Sequence, residues 1–266
     1  STKALIQQIM PAVTCAKVER KIDQLLIEDN RRGALNGHTP FSALVGMLAC
    51  AYADINEFNQ VLLSNEHSAN EPTVPGSAIN HQYSKSWDFE KTFQEYLKRV
   101  VNSNVKYSSV LRPINEIQIM NEFLNKKNLV QQFVSCNVGG RYGYWCGSCP
   151  KCLSIALMIA ALRGFDIVVK VFGYNILSIR SNHDCLMQLT GFSKNKPFEC
   201  VSTVGECHSA MGACVELDTE GAMNLPAEFL QFLHHKRPIN AYLHDWNQIH
   251  SCPAEWEKLL AAYIKH

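Results

Sequence analysis

The stretch QVLLSNEHSANE, Gln60 to Glu71, decides the fold class. Four residues of strand character, Gln60–Leu63, run abruptly into polar ones. A short apolar strand emptying into a polar loop is the α/β pattern, and loops at the C-terminal ends of such strands commonly carry the chemistry. Working outward, Pro40 opens FSALVGMLACAYADI, whose length and alanine content favour a buried helix. Downstream, SWDFEKTFQEYLKRV offers Ser86 as an N-cap and Phe89, Phe93, Tyr96, Leu97 and Val100 as a helical stripe. VKYSSVLRP then reads as a strand, INEIQIMNEFLN as an amphipathic helix, QQFVSCN as another short strand and LSIALMIAALRG as a helix. This alternation through residue 163 argues for a parallel sheet with right-handed crossovers.

The flanks are simpler. Residues 1–30 read as a helix and a strand-like connector, ending in the polar run IEDNRRGALNGHTP. From about residue 176 the pattern is mostly helical, closing with a helix over PAEWEKLLAAYIKH. The expected division is therefore an α/β domain over 1–175 and a helical region over 176–266.

Composition narrows the class. In 266 residues, 47% are apolar and 18% charged, with a formal net charge of +1. Such a chain can bury a large core, and its near-neutral balance gives no support to a nucleic-acid footprint. The most apolar window, Phe41 to Ala53, is too short to span a bilayer, and no signal peptide opens the chain. Eleven cysteines is a high and odd number. Cys15, Cys50, Cys185 and Cys214 are scattered along apolar stretches and read as small buried hydrophobes, which points to a reducing, cytoplasmic environment.

Four other cysteines are patterned. Cys136, Cys146, Cys149 and Cys152 give C-x9-C-x2-C-x2-C, with WCGSCPKC supplying the last three. A C-x2-C pair lets two thiolates approach one ion from a tight turn, and zinc accepts four sulfurs tetrahedrally. Gly147 eases the turn, and Pro150 suits the first turn of the following helix, whose N-terminus favours thiolates with Lys151 nearby. An iron–sulfur cluster and unligated or redox thiols are the competing readings. A zinc held by four protein ligands staples the fold and leaves no open position for substrate.

The remaining polar loops are NGHTPFSA (36–43), LSNEHSANE (63–71), NHQYSKSWDFE (80–90) and LRPINEI (111–117). Each read alone is a hydrogen-bonded loop or helix cap. Together they offer His38, His81 and Lys85 as proton carriers and Arg112 as an anion anchor, while Asn65, Glu66 and Glu116 can orient a metal or an amine.

In this order, with SCN, WCGSCPKC and KPFECVSTV, the motifs closely resemble those of the bacterial UDP-N-acetylmuramoyl-L-alanyl-L-glutamate epimerases, from about Lys21 to Val204. The cysteine pattern also resembles the zinc site of 7-cyano-7-deazaguanine synthases, which share the PP-loop ATP pyrophosphatase fold. The resemblance implies an adenine nucleotide alpha hydrolase-like (PP-loop) core and an ATP- and Mg2+-dependent isomerase of peptidoglycan precursor synthesis. It would act on a nucleotide-sugar dipeptide through an acyl adenylate. Adenylation removes the carboxylate charge that keeps the glutamate Cα proton weakly acidic. His38, His81 or Lys85 would then exchange that proton. The same loops imply substrate contacts at Asn36, Ser64, Asn65, Glu66, Asn80, Gln82, Ser84, Arg112 and Glu116. The four cysteines would hold structural Zn2+. No nucleic-acid or membrane partner is implied, and oligomeric state is not legible.

One element of the family is missing. The glycine-rich SGGxDS loop that grips pyrophosphate has no counterpart here, and the only Gly-Gly is Gly139–Gly140, beside the cysteines. STKALIQQIM resembles the segment following that loop, so the expectation is an enzyme truncated at its N-terminus and inactive alone. The alternatives are another PP-loop pyrophosphatase acting on a deazapurine or tRNA, and a zinc-stapled binding module without catalysis.

Overall fold

The computed structural model describes residues 6, 10–34, 40–126, 130, 132–219, 221, 223–233 and 237–264. The chain divides into two units, Ser1–Thr39 and Pro40–His266. In the first, α1 (Gln24–Arg31) is capped by Asp23, whose carboxylate accepts from Leu25 N at 2.8 Å, and it buries no residue. Residues 11–23 are irregular, so the strand-like connector expected there does not form a strand. An isolated strand has no partner to satisfy its backbone.

The second unit opens with α2 (Phe41–Ile55), β1 (Gln60–Leu63), α3 (Trp87–Tyr96) and β2 (Lys106–Ser109). The strands pair in parallel, in register Gln60↔Lys106 to Leu63↔Ser109. Ser86 caps α3 as expected, its Oγ accepting from Phe89 N at 3.2 Å, and α3 runs on into a π turn, Leu97–Val101. Cys50, Ala53, Phe93, Leu97, Val105 and Tyr107 form a small core between these helices and the strands. Gly46 lets α2 approach closely, because a Cβ there would lie 3.0 Å from the Tyr107 ring.

After β2 come α4 (Glu116–Leu124), α5 (Pro150–Arg163), α6 (Phe165–Phe172), α7 (His183–Leu189) and α8 (Val204–Leu217). The chain then forms α9 (Ala227–Phe232), α10 (Ile239–Tyr242) and α11 (Ala254–Ile264). The architecture is α/β with a small parallel sheet and many helices. Helix α5 is the hub: every residue from Cys152 to Ala160 is buried, and α4, α6, α7 and α8 pack around it. A helix apolar all round must be enclosed on all sides. No helix among the described residues is long and apolar enough to cross a membrane.

QQFVSCN is a second correction. Among the described residues the sheet contains β1 and β2 alone, and residues 133–136 are irregular. The strand character of Phe133 and Val134 yields to a turn, in which Cys136 O accepts from Gly140 N at 2.9 Å and Cys136 Sγ from Gly139 N at 3.1 Å. Cys136 therefore reaches the cysteine cluster from a loop rather than from a strand end.

Candidate functional site

The Sγ atoms of Cys136, Cys146, Cys149 and Cys152 all lie within 4.8 Å of one another. Nearest pairs are 3.5 Å (Cys149–Cys152), 3.8 Å (Cys146–Cys152) and 4.0 Å (Cys136–Cys149). A zinc ion with Zn–S bonds of about 2.3 Å sets sulfurs about 3.8 Å apart at the corners of its tetrahedron, so the donor set fits. Cys149 is the N-cap of α5 and Pro150 its first residue, while Gly147 makes the preceding turn at φ +72°. Burial raises the Cys146 thiol, but the amides of Ser148 and Cys149 outweigh it and bring it down to about 6. Cys136 is also lowered: the amides of Gly139 and Cys146 overcome its burial. Cys149 and Cys152 are raised by burial. These four thiols can hold a metal such as zinc.

The polar loops gather at the C-terminal ends of both strands. β1 runs directly into Ser64–Asn70 and β2 into Val110–Asn115, where ligands sit in open parallel sheets. Arg112 clamps the loops together. Its guanidinium donates to Glu66 O at 2.7 Å and Lys85 O at 2.5 Å, and pairs with Glu90 Oε2 at 3.1 Å. Both Arg112 and Glu90 are fully buried, and Ser251 Oγ also donates to Glu90. The guanidinium expected to anchor a substrate anion is thus committed to two internal carbonyls and one internal carboxylate.

Other expected site residues are drawn into the same framework. Asn65 donates to Ser109 Oγ at 3.1 Å, and Asn80 to Ala69 O at 2.9 Å while accepting from Gln82 N at 2.7 Å. The Gln82 amide reaches Val201 O at 3.4 Å. His81 stands edge-on to Phe198, with its backbone N–H on Thr73 Oγ1 at 2.9 Å. Ser64 is exposed, and Ser84 and Lys85 are half-buried. Asn36 and His38 lie outside the described residues, as do the late histidines His234 and His235.

The charged centre is Glu66, Glu116, Glu206 and Lys151. Lys151 Nζ pairs with Glu116 Oε1 at 3.1 Å. Burial and the Glu116 carboxylate raise Glu66 above the usual carboxylate range, against the pull of its own amide, Lys151 and Lys85. Glu206 is likewise raised, by burial and then by Glu116. Its Oε1 accepts from Glu116 N at 2.8 Å, and its Oε2 from Thr203 N at 2.8 Å, so one carboxylate joins the N-termini of α4 and α8. Lys151 sits between two of the cluster cysteines, so the first turn of α5 belongs to both centres.

Sequence reasoning left Lys151 as a helper of the thiolates and passed over His67, Glu71, Glu206 and Asp245. His67 and Glu71 lay inside a quoted motif; Glu206 and Asp245 carried no local signal, being distant in the chain from the loops they meet. Three of the cavities here are lined by His67. One of about 380 Å³ is lined by His67, Glu71, Thr203, Glu206, Arg237 and Asp245, among others. A second of about 200 Å³ lies between His67, Pro113, Asn115 and Asp245, and a third of about 310 Å³ between His67, Asn80, Tyr83 and Trp87.

These features define an α/β protein with a charged site at its strand ends and a four-cysteine cluster able to hold a metal. Residues 2–110 match the MurL N-terminal domain and residues 132–237 the MurL C-terminal domain, and the chain belongs to the MurL family. It is 37% identical over 194 residues to a UDP-N-acetyl-alpha-D-muramoyl-L-alanyl-L-glutamate epimerase of Xanthomonas oryzae pv. oryzae, covering 70% of this chain and 43% of the relative. Proteins of the same name from Micromonospora sp. and Salinispora tropica are 33% and 34% identical, over 75% and 70% of this chain and 46% and 42% of theirs. The chain spans under half the length of these curated relatives. No solved structure matches it.

Proposed function

We propose that this chain is the substrate- and metal-bearing part of an epimerase that inverts the terminal L-glutamate of UDP-N-acetylmuramoyl-L-alanyl-L-glutamate, in the cytoplasm, for peptidoglycan precursor synthesis. The observation that carries the reading is the match to relatives named for this reaction: the two family-matched segments hold the 64–71 and 80–90 loops and all four cluster cysteines. The substrate is a nucleotide-sugar dipeptide, with no nucleic-acid or membrane partner. Residues 1–175 form the α/β part, with a PP-loop-type core, and 176–266 its helical cover.

Removal of the glutamate Cα proton needs a group that accepts it and a neighbour that stabilises the resulting charge. Lys85 and His81, with His38, are the proton carriers, and Glu66, Glu116 and Lys151 form a charged cluster that interacts with Lys85. Arg112 acts by holding the Glu66 and Lys85 loops together. Elevated carboxyls such as Glu66 suit proton exchange near neutral pH. The cysteine cluster holds a structural zinc, which supplies no chemistry to the substrate and fixes the first turn of α5, and with it Lys151.

ATP and Mg2+ are part of the reading through the acyl adenylate, but the described residues do not fit a phosphate cradle. Gly139, of the lone Gly-Gly pair, is packed against Tyr144, whose carbonyl would lie 2.4 Å from an added Cβ. The Gly-Gly pair therefore does not serve as the site of ATP activation. Incubating the longest translation product that carries this chain with ATP, Mg2+ and the L-glutamate dipeptide should yield the D-glutamate epimer. Its absence, or full activity in a His38→Ala, His81→Ala, Lys85→Ala triple variant, overturns this assignment.

A further inference from the structure

Resting on the epimerase reading, we propose that His67 is a catalytic residue of the reaction, a neutral imidazole whose Nε2–H hydrogen-bonds the substrate carbonyl oxygen on which charge develops as the Cα proton leaves. His67 follows the last residue of β1 by four positions, and its backbone N–H donates to Ile114 O at 2.9 Å, which holds it against the loop leaving β2. The residue is partly open to solvent, and it lines three cavities at the strand ends. A ligand entering any of the three meets this ring.

The tautomer is set by Asn70. Trp87 N donates to Asn70 Oδ1 at 2.7 Å, which orients that amide, and Asn70 Nδ2 lies 3.5 Å from His67 Nδ1. An amide N–H facing Nδ1 makes Nδ1 the acceptor, so the ring proton of the neutral form sits on Nε2. The surrounding charges favour that neutral form. Partial burial and then the Arg112 charge lower its pKa, and Asp245, which lines two of the same cavities, acts in the opposite sense. The other charged groups on these walls are Glu71, Glu206, Arg237 and Asp88. A neutral imidazole is a hydrogen-bond donor that polarises a carbonyl without giving up its proton.

The step is balanced without any added reductant or oxidant. A base removes the Cα proton, the C–H electron pair moves into the carbonyl as an enolate, and the Nε2–H of His67 stabilises its oxygen. Reprotonation at the opposite face restores the carbonyl and releases that hydrogen bond.

The test uses His67→Ala, His67→Gln and Asn70→Asp in the longest translation product carrying this chain, with ATP, Mg2+ and the L-glutamate dipeptide. His67→Ala should lower kcat by about 100- to 1,000-fold, the usual loss for one such donor, with KM changed by less than about threefold. His67→Gln, which keeps an N–H donor, should recover at least about tenfold of that loss and abolish the acid limb that the wild type shows below the ordinary imidazole value of 6.5. Asn70→Asp, which draws the proton to Nδ1, should lower kcat and move the acid limb upward. In the 266-residue chain itself, nitrogen NMR should find the His67 ring protonated at Nε2 at neutral pH. A His67→Ala kcat within threefold of wild type, an unchanged acid limb in His67→Gln, or an Nδ1–H ring overturns the proposal. If the wild type makes no D-glutamate, the epimerase reading itself fails; if it does and the variants behave like it, only the role of His67 falls.

Discussion

Two regions of the second unit are held together by opposite means. Around α5, nine consecutive buried residues and the side chains of α4, α6, α7 and α8 make an apolar interior, closed at one end by four thiols. At the ends of β1 and β2 the apolar core is small, and the loops are joined by Arg112, Glu90, Asn65, Asn80 and Glu206. Apolar packing and a closed set of four thiols favour one arrangement and leave no open position for a substrate. Buried charges are held at a cost in desolvation, and they leave Glu66 and His67 with protonation equilibria displaced from those in water. The half with displaced protonation equilibria is therefore the one whose cohesion is polar.

The comparison breaks most sharply at the cysteines. Cys152→Ser, or stripping the metal with a chelator, should cost on the order of 10 kcal/mol of binding free energy and disorder the 136–152 turn. Circular dichroism melts with and without added zinc will show it; a chain that melts unchanged with no bound metal excludes the staple. Next, Glu90→Leu should destabilise the chain by about 3–5 kcal/mol in urea, because the Arg112 guanidinium is left buried without its counter-charge. Adding Arg112→Met should restore only part of that loss, because Glu66 O and Lys85 O then lack the donor that joins their loops; no recovery at all would mean that the unpaired Arg112 charge is not the cause.

A smaller effect follows from the raised carboxyls. Glu66 and Glu206 bind protons more tightly in the folded chain than at the ordinary value of 4.5. The stability they contribute is complete below about 4.5 and is lost as pH rises through their elevated folded values. Urea unfolding from pH 4 upward should therefore show a downward slope that Glu206→Gln reduces. An identical slope in the variant removes Glu206 from the account. The smallest expected change is Asn65→Ala, about 1 kcal/mol for the lost bond to Ser109, measured by the shift in urea midpoint. A loss several times larger would mean that the β1 loop carries more of the local order than its single bond suggests.

Much of the scaffold was legible because its signals are local. Ser86 and Pro150 mark the starts of α3 and α5 by chemistry confined to one turn, and Gln60–Leu63 betrays a strand by its sharp polar edge. The four cysteines announce a metal-binding cluster through spacing alone. QQFVSCN misled for a physical reason: β propensity is weak, and sulfur–amide bonds in the cysteine turn outweigh it. The internal partners of Arg112 were hidden for another. An arginine at a strand-to-helix junction looks free to bind an anion until Glu90, packed in from α3, is seen to occupy it.

By itself the sequence determined the α/β class, the helices around α5 and the cysteine cluster, and it marked the polar loops. Each of these is written in residues at most about twenty positions apart. Tertiary structure alone decided which of those polar residues hold the loops and which face the cavities. Glu206 and Asp245 reach the strand ends from far along the chain, and burial acts on a carboxyl or an imidazole only once the chain has closed around it.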